Sequence, residues 1–167
     1  MHIFLTGDRQ IGKSTIIEKL LQELKAQNPD LKIGGFFTKA GDPDVLMHYA
    51  STPERSFVIG KRKIGGFTDV FNTKGVSLLR DTRIQNPDLI LMDELGWMES
   101  NAQTFASEVL KTLDGRTQVL GVLRKDCSAA LIEEIKRRAD VEVIEVTEQN
   151  RNELVHTILE KTKRERL

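Results

Sequence analysis

Eight residues near the start of the chain, Gly7-Asp8-Arg9-Gln10-Ile11-Gly12-Lys13-Ser14, fit G-x-x-x-x-G-K-[ST] without a gap. No other stretch restricts the fold as strongly. Such a loop must turn tightly at both ends, where a Cβ would prevent close approach of the backbone. Before it, Ile3-Phe4-Leu5-Thr6 is a short apolar run that reads as a buried strand. After it, Ile16, Ile17, Leu20, Leu21 and Leu24 recur at helical spacing until Asn28-Pro29 stops the pattern. Strand, loop and helix in that order aim backbone N–H groups and the positive helix end at one point. A phosphate group suits that point. The candidate phosphate-binding residues are therefore Gly7, Asp8, Arg9, Gln10, Ile11, Gly12, Lys13, Ser14 and Thr15. Lys13 supplies a mobile charge for the β and γ phosphates, Ser14 a hydroxyl for Mg²⁺, and Thr15 a bond to the α phosphate.

A phosphate-bound Mg²⁺ needs a carboxylate at the carboxyl end of a neighbouring strand. Leu89-Ile90-Leu91-Met92-Asp93-Glu94 meets that need, with four apolar residues running into two acids. Asp93 is the expected magnesium-side carboxylate, and Glu94 the general base that polarises an attacking water. Two adjacent acids, rather than one, favour hydrolysis over simple binding.

The rest of the chain continues the alternation. Residues 32–38 read as a strand whose glycines permit a bulge or close approach. Residues 45–50 and 56–60 read as a hairpin, 61–75 as the longest irregular stretch, and 76–85 as a short helix. Met98, Ala102, Phe105, Val109 and Leu113 step by three or four along a further helix. Strands at 119–123 and 141–146 enclose a helix at 129–139, and a last helix starts near Asn150. The basic end, Lys161 to Arg166, reads as a solvated tail. Strand–helix alternation implies right-handed crossovers and a parallel sheet. The expected fold is α/β in three layers: one domain over residues 1–167, mostly parallel, with added antiparallel strands in the N-terminal half.

Composition removes several classes of function. Lys plus Arg and Asp plus Glu each number 25 in 167 residues, so the formal charge is zero. A general nucleic-acid coat needs a basic surplus to displace counterions, and 5% aromatic content is poor material for a base-stacking platform. A single cysteine, Cys127, excludes an internal disulfide and a cysteine-based zinc site. No apolar run approaches the ~20 residues of a membrane span, and Met1-His2-Ile3-Phe4-Leu5-Thr6-Gly7, without a cationic start, is not expected to act as a signal peptide. A soluble cytoplasmic protein is expected.

Weaker candidates carry two readings each. Arg124, just after the strand 119–123, either neutralises charge building on the γ-phosphate or belongs with Lys125 to a solvated loop. Arg62 and Lys63 form a phosphate lid or another solvated loop. Thr147-Glu148-Gln149-Asn150-Arg151 contacts the base or sugar, or simply caps the last helix. His48 and His156 read as packing or surface residues, and Cys127 carries no chemistry.

The chain resembles the nucleoside-triphosphatase family that includes the cancer-related nucleoside-triphosphatase and its archaeal and bacterial relatives. The resemblance rests on Phe4-Leu5-Thr6-Gly7 leading into Gly12-Lys13-Ser14-Thr15, on Gly35-Phe36-Phe37-Thr38, on Met92-Asp93-Glu94-Leu95-Gly96 with Met98-Glu99, and on Val146-Thr147-Glu148 with Asn150-Arg151-Asn152. It implies a P-loop NTPase fold and Mg²⁺-dependent hydrolysis of several nucleoside triphosphates to diphosphate and phosphate. By position it assigns Lys13 and Ser14 to phosphates and metal, Asp93 to the metal shell and Glu94 to the water. The chain departs from the family pattern at Arg9 and Gln10, which replace Pro and Gly, at Lys39-Ala40-Gly41, and at Trp97. Two rival readings share the loop: a nucleotide or small-molecule kinase, which needs a second substrate pocket, and a nucleotide-dependent module activated by a protein partner.

Overall fold

Apolar side chains point alternately to the two faces of each central strand, and helices cover both faces. The computed structural model describes residues 1–165. The chain begins with β1 (His2–Thr6), α1 (Lys13–Gln27), β2 (Ile33–Ala40), β3 (Asp44–Tyr49), β4 (Ser56–Lys61) and β5 (Gly65–Gly66). A helical segment follows as α2 (Thr68–Val70), a π-helical turn (Phe71–Gly75) and α3 (Val76–Gln85). The second half comprises β6 (Leu89–Leu95), α4 (Gln103–Leu113), β7 (Val119–Leu123), α5 (Ala130–Arg137), β8 (Val141–Glu145) and α6 (Arg151–Glu165).

The eight strands form one sheet in the order β5-β4-β3-β2-β6-β7-β1-β8. The five strands from β2 to β8 in that order pair in parallel. β3, β4 and β5 add on antiparallel, as the hairpin signal predicts. On one face Phe4, Ile90 and Met92 meet Phe71 and Phe105 beneath α3, α4 and α5. On the other, Ile3, Leu5 and Leu91 meet Ile17 and Leu20 of α1 and Ile158 of α6. The mixed α/β, three-layer architecture expected from the alternation is the one observed. Leu5 pairs with Val122, and Val122 with Asp93, so the loop after β1 and the acids of β6 emerge at one sheet edge with β7 between them.

Three local expectations change. The stretch 61–75 is not irregular: Gly65–Gly66 pair back onto Gly60 and Lys61, and Phe67 N–H donates to Ile59 O at 2.7 Å. Phe71 is then buried, which pulls the segment into helix, and the open turn shrinks to residues 62–64. The helix expected from Met98 starts at Gln103. Met98 and Ala102 keep their apolar contacts from a turn in which Ala102 N–H donates to Glu99 O at 2.9 Å. The basic end is not all solvated: Thr162 is 1% exposed, and Lys161 Nζ reaches Glu142 Oε1 of β8 at 2.6 Å. Arg166, the last residue of that expectation, lies outside the described residues.

Candidate active site at the carboxyl edge of the sheet

Glycine geometry opens the loop between β1 and α1. Gly7 has φ 149°, and a Cβ there would lie 2.8 Å from Val146 O. Gly12 caps α1 in a left-handed conformation with φ 112° and no side-chain hydrogen bond, so the first amides of the helix face the loop cavity. Gln10 also takes a left-handed φ of 61°, at a cost of about 1 kcal/mol for a residue with a Cβ. The Lys13 ammonium folds back on this loop and donates to Gly7 O at 2.6 Å and Asp8 O at 2.8 Å. Burial lowers its pKa, while Glu94, Asp8 and Asp93 pull it upward.

Across β7, the Ser14 hydroxyl stands beside the Asp93 carboxylate and favours its charged form. Burial raises the Asp93 pKa to about 6, helped by the nearby charges of Glu94 and Glu18 and opposed by Lys13 and Ser14. The β6–β7 register shifts between Asp93 and Leu95, and an irregularity of that kind redirects the side chains beside it. Glu94 is half-buried, with Arg124 Nη1 4.0 Å from its Oε1. Glu94, Arg124 and every residue of the loop from Gly7 to Thr15 except Ile11 line one cavity of about 600 Å³.

Asp8 would repel a polyphosphate if it faced the cavity unpaired. Instead Lys125 Nζ holds Asp8 Oδ1 at 3.0 Å and Glu145 Oε1 of β8 at 3.0 Å. Hydrogen bonds to both carboxylates keep Lys125 charged well above its ordinary range. Lys125→Ala should raise the KM for a nucleoside triphosphate about three- to tenfold and leave kcat near the wild-type value. Because the pair is exposed, the effect should shrink between 50 mM and 500 mM salt.

A second buried acid braces the segment behind Glu94. Glu99 is 5% exposed, and its carboxyl accepts the Gly96 N–H. Burial lifts its pKa from 4.5 to about 8, against the pull of the Gly96 bond. The folded state therefore binds this proton more tightly than the unfolded chain does. Its contribution to stability is full below about pH 4.5, declines as the pH rises, and is lost beyond about pH 8. Glu99→Gln should flatten that part of the stability–pH profile, read as urea midpoints between pH 5 and 8.

The structure brings together the loop residues Gly7 to Thr15, Asp93, Glu94 and Arg124. It sets other candidates apart. Arg62 and Lys63 line a neighbouring cavity rather than the loop. Thr147 and Asn150 cap α6: Thr147 N–H donates to Asn150 Oδ1 at 2.8 Å, and Asn150 N–H to Thr147 Oγ1 at 3.2 Å. Arg151 instead steadies the loop by donating to Ile11 O at 3.4 Å. His48 stacks on Phe37 with ring centroids 4.8 Å apart, and Cys127 is 2% exposed in the core. Sequence reasoning missed the Lys125 bridge. Its only signal was a cation immediately after an apolar strand of the same edge.

No helix among the described residues is long and apolar enough to cross a membrane. The sequence model of the family described as NTPase matches residues 2–44 and 49–159. The chain is 30% identical over 173 residues to nucleoside-triphosphatase THEP1 of Thermotoga maritima, covering 95% of this chain and 94% of that protein. It is 30% identical over 181 residues to the cancer-related nucleoside-triphosphatase of Homo sapiens, again covering 95% and 94%. The solution structure of a human cancer-related nucleoside triphosphatase superimposes with a TM-score of 0.73 at 28% identity, covering 96% of both chains. The crystal structure of THEP1 from Aquifex aeolicus, at 21% identity, shares the fold with a TM-score of 0.78 over 97% of this chain and 99% of that one. A phosphate loop, two acids at the same sheet edge and a family match over nearly the whole length agree: the chain belongs to the NTPase family.

Proposed function

We propose that the protein hydrolyses the β–γ bond of nucleoside triphosphates, ATP and GTP among them, to diphosphate and phosphate with Mg²⁺. The observation that carries this reading is the loop from Gly7 to Ser14 with Lys13 folded over it and the Ser14 hydroxyl beside the Asp93 carboxylate, flanked by the Glu94–Arg124 pair. The relatives' shared name, nucleoside-triphosphatase, supports it.

In this mechanism the loop amides from Gly7 to Ser14 and the amino end of α1 bind the phosphates. Lys13 leaves the carbonyls of Gly7 and Asp8 for the outer phosphates, whose charge replaces those dipoles. Glu94 accepts a proton from water, and Arg124 balances charge gathering on the terminal phosphate. A hydroxyl and a carboxylate are hard oxygen donors of the kind that suit Mg²⁺. Ser14 and Asp93 would hold it there. When bound, Mg²⁺ would neutralise charge on the phosphates.

The test is a phosphate-release panel over ATP, GTP, CTP and UTP with and without Mg²⁺. Release from several nucleotides only with the metal is the expected result; transfer to a small acceptor faster than to water would favour a kinase. Trp97, the only tryptophan and 48% exposed beside this edge, gives a parallel binding signal through its emission.

A further inference from the structure

Triphosphate hydrolysis explains the loop cavity but not the one beside it. A second cavity of about 450 Å³ opens between the hairpin β3–β4, the start of the π-helical turn, α4 and the segment after Glu94. The two share Arg9, Ala40, Glu94 and Arg124, so the second begins where the terminal phosphate would end. Its accessible apolar surface comes from Trp97, 48% exposed, and the half-buried Met98, over a closed floor that includes Met47, Ile59 and Phe71. That volume and lining are those of a small-molecule site.

Its mouth has a definite charge. Arg9, Arg62, Lys63 and Arg124 line it against the half-buried acid Glu94. Arg124 is paired with Glu94 at 4.0 Å, but Arg9, Arg62 and Lys63 have no acidic partner among the described residues. Glu99, the other acid in the wall, is buried and spends an oxygen on the Gly96 N–H. The roof is rigid. A Cβ on Gly66 would lie 2.0 Å from Met98 O, so the β5 backbone packs directly on the segment after Glu94. An apolar surface carrying Trp97, with unpaired cations at its rim, discriminates by ligand class, because an anion with an apolar body satisfies both parts.

We propose that this cavity binds a small organic anion with a flat apolar body, held beside the terminal phosphate with its charge toward Arg62 and Lys63. An occupant there covers Glu94 from the solvent side. That last consequence rests on the hydrolase reading; the binding itself does not.

The probes are 8-anilinonaphthalene-1-sulfonate and its uncharged analogue N-phenyl-1-naphthylamine, titrated into the folded protein and read by probe emission and energy transfer from Trp97. The anion should bind at one site, about tenfold more tightly than the neutral probe. Arg62→Gln with Lys63→Asn, in an exposed turn where Lys63 has φ 68°, should erase that preference and leave the neutral probe unchanged. Trp97→Ala, which removes the exposed apolar ring, should weaken both probes at least tenfold by probe emission alone while keeping a cooperative thermal transition. Equal affinity of the two probes, or anion binding indifferent to the turn substitutions, would overturn the proposal. Saturating sulfonate should slow phosphate release from ATP at least fivefold in the native protein; an unchanged rate would overturn the covering of Glu94. Phosphate release without any probe tests the hydrolase reading separately. A protein that binds the sulfonate as stated but leaves ATP intact keeps the site and loses that reading.

Discussion

Lys13→Ala should lower phosphate release from Mg·ATP by about 10²–10³-fold, the usual consequence of losing one preorganised charge contact on a transition state. The ammonium starts on Gly7 O and Asp8 O, close enough to the loop cavity to exchange two neutral carbonyls for phosphate oxygens. Removing it takes away the ammonium folded inside the loop and leaves those carbonyls without their donor. Nucleotide affinity should fall as well, since ground-state phosphates use the same charge. Lys13→Arg should not rescue the rate beyond a few per cent, because a planar guanidinium fork fits poorly where a compact ammonium is folded inside its own loop. Phosphate release by the two variants, with circular dichroism to show unchanged helix content, is the check. A Lys13→Ala protein working within threefold of wild type would remove the loop from the chemistry.

Glu94→Gln should lower kcat by about 10²–10⁴-fold while nucleotide still binds, the range expected when a general base is replaced by an amide of the same shape. The contrast with Lys13 is the diagnostic point. Glu94 lies outside the loop and faces the cavity from β6, so its loss leaves the phosphate contacts intact. Removing a carboxylate that stands near Lys13 and Arg124 should even tighten binding slightly, by relieving charge around the phosphates. Single-turnover phosphate release, paired with Trp97 emission as the binding readout, separates the two effects. Normal turnover in this variant would reassign the base.

The strand–loop–helix unit was legible because its residues are local: the glycines, Lys13 and Ser14 lie within eight positions and impose their own geometry. Asp93 and Glu94 were legible because a four-residue apolar run buried on both faces can end only at an edge. Contacts that depend on tertiary placement were not legible. The bridge from Lys125 to Asp8 spans 117 residues, and nothing local to either end announces it. Residues 61–75 carry glycines that favour an irregular reading, yet pairing with β4 and burial of Phe71 impose strand and helix. Periodicity extended α4 back to Met98 because a turn can hold an apolar residue on the same side as the helix it precedes. The second cavity was invisible because Phe36, Ile59, Phe71 and Phe105 come from four separate elements, each readable alone as ordinary core.

The most direct test of the account is a crystal structure of the protein with Mn²⁺ and a β,γ-imido nucleoside triphosphate, with the metal located by its anomalous signal. The account predicts one strong peak between the Ser14 hydroxyl and the Asp93 carboxylate, within direct or one-water reach of each, with the Lys13 ammonium on the terminal phosphate and the Glu94 carboxylate facing its phosphorus. A metal held elsewhere, or a triphosphate lying outside the Gly7–Thr15 loop, would contradict it.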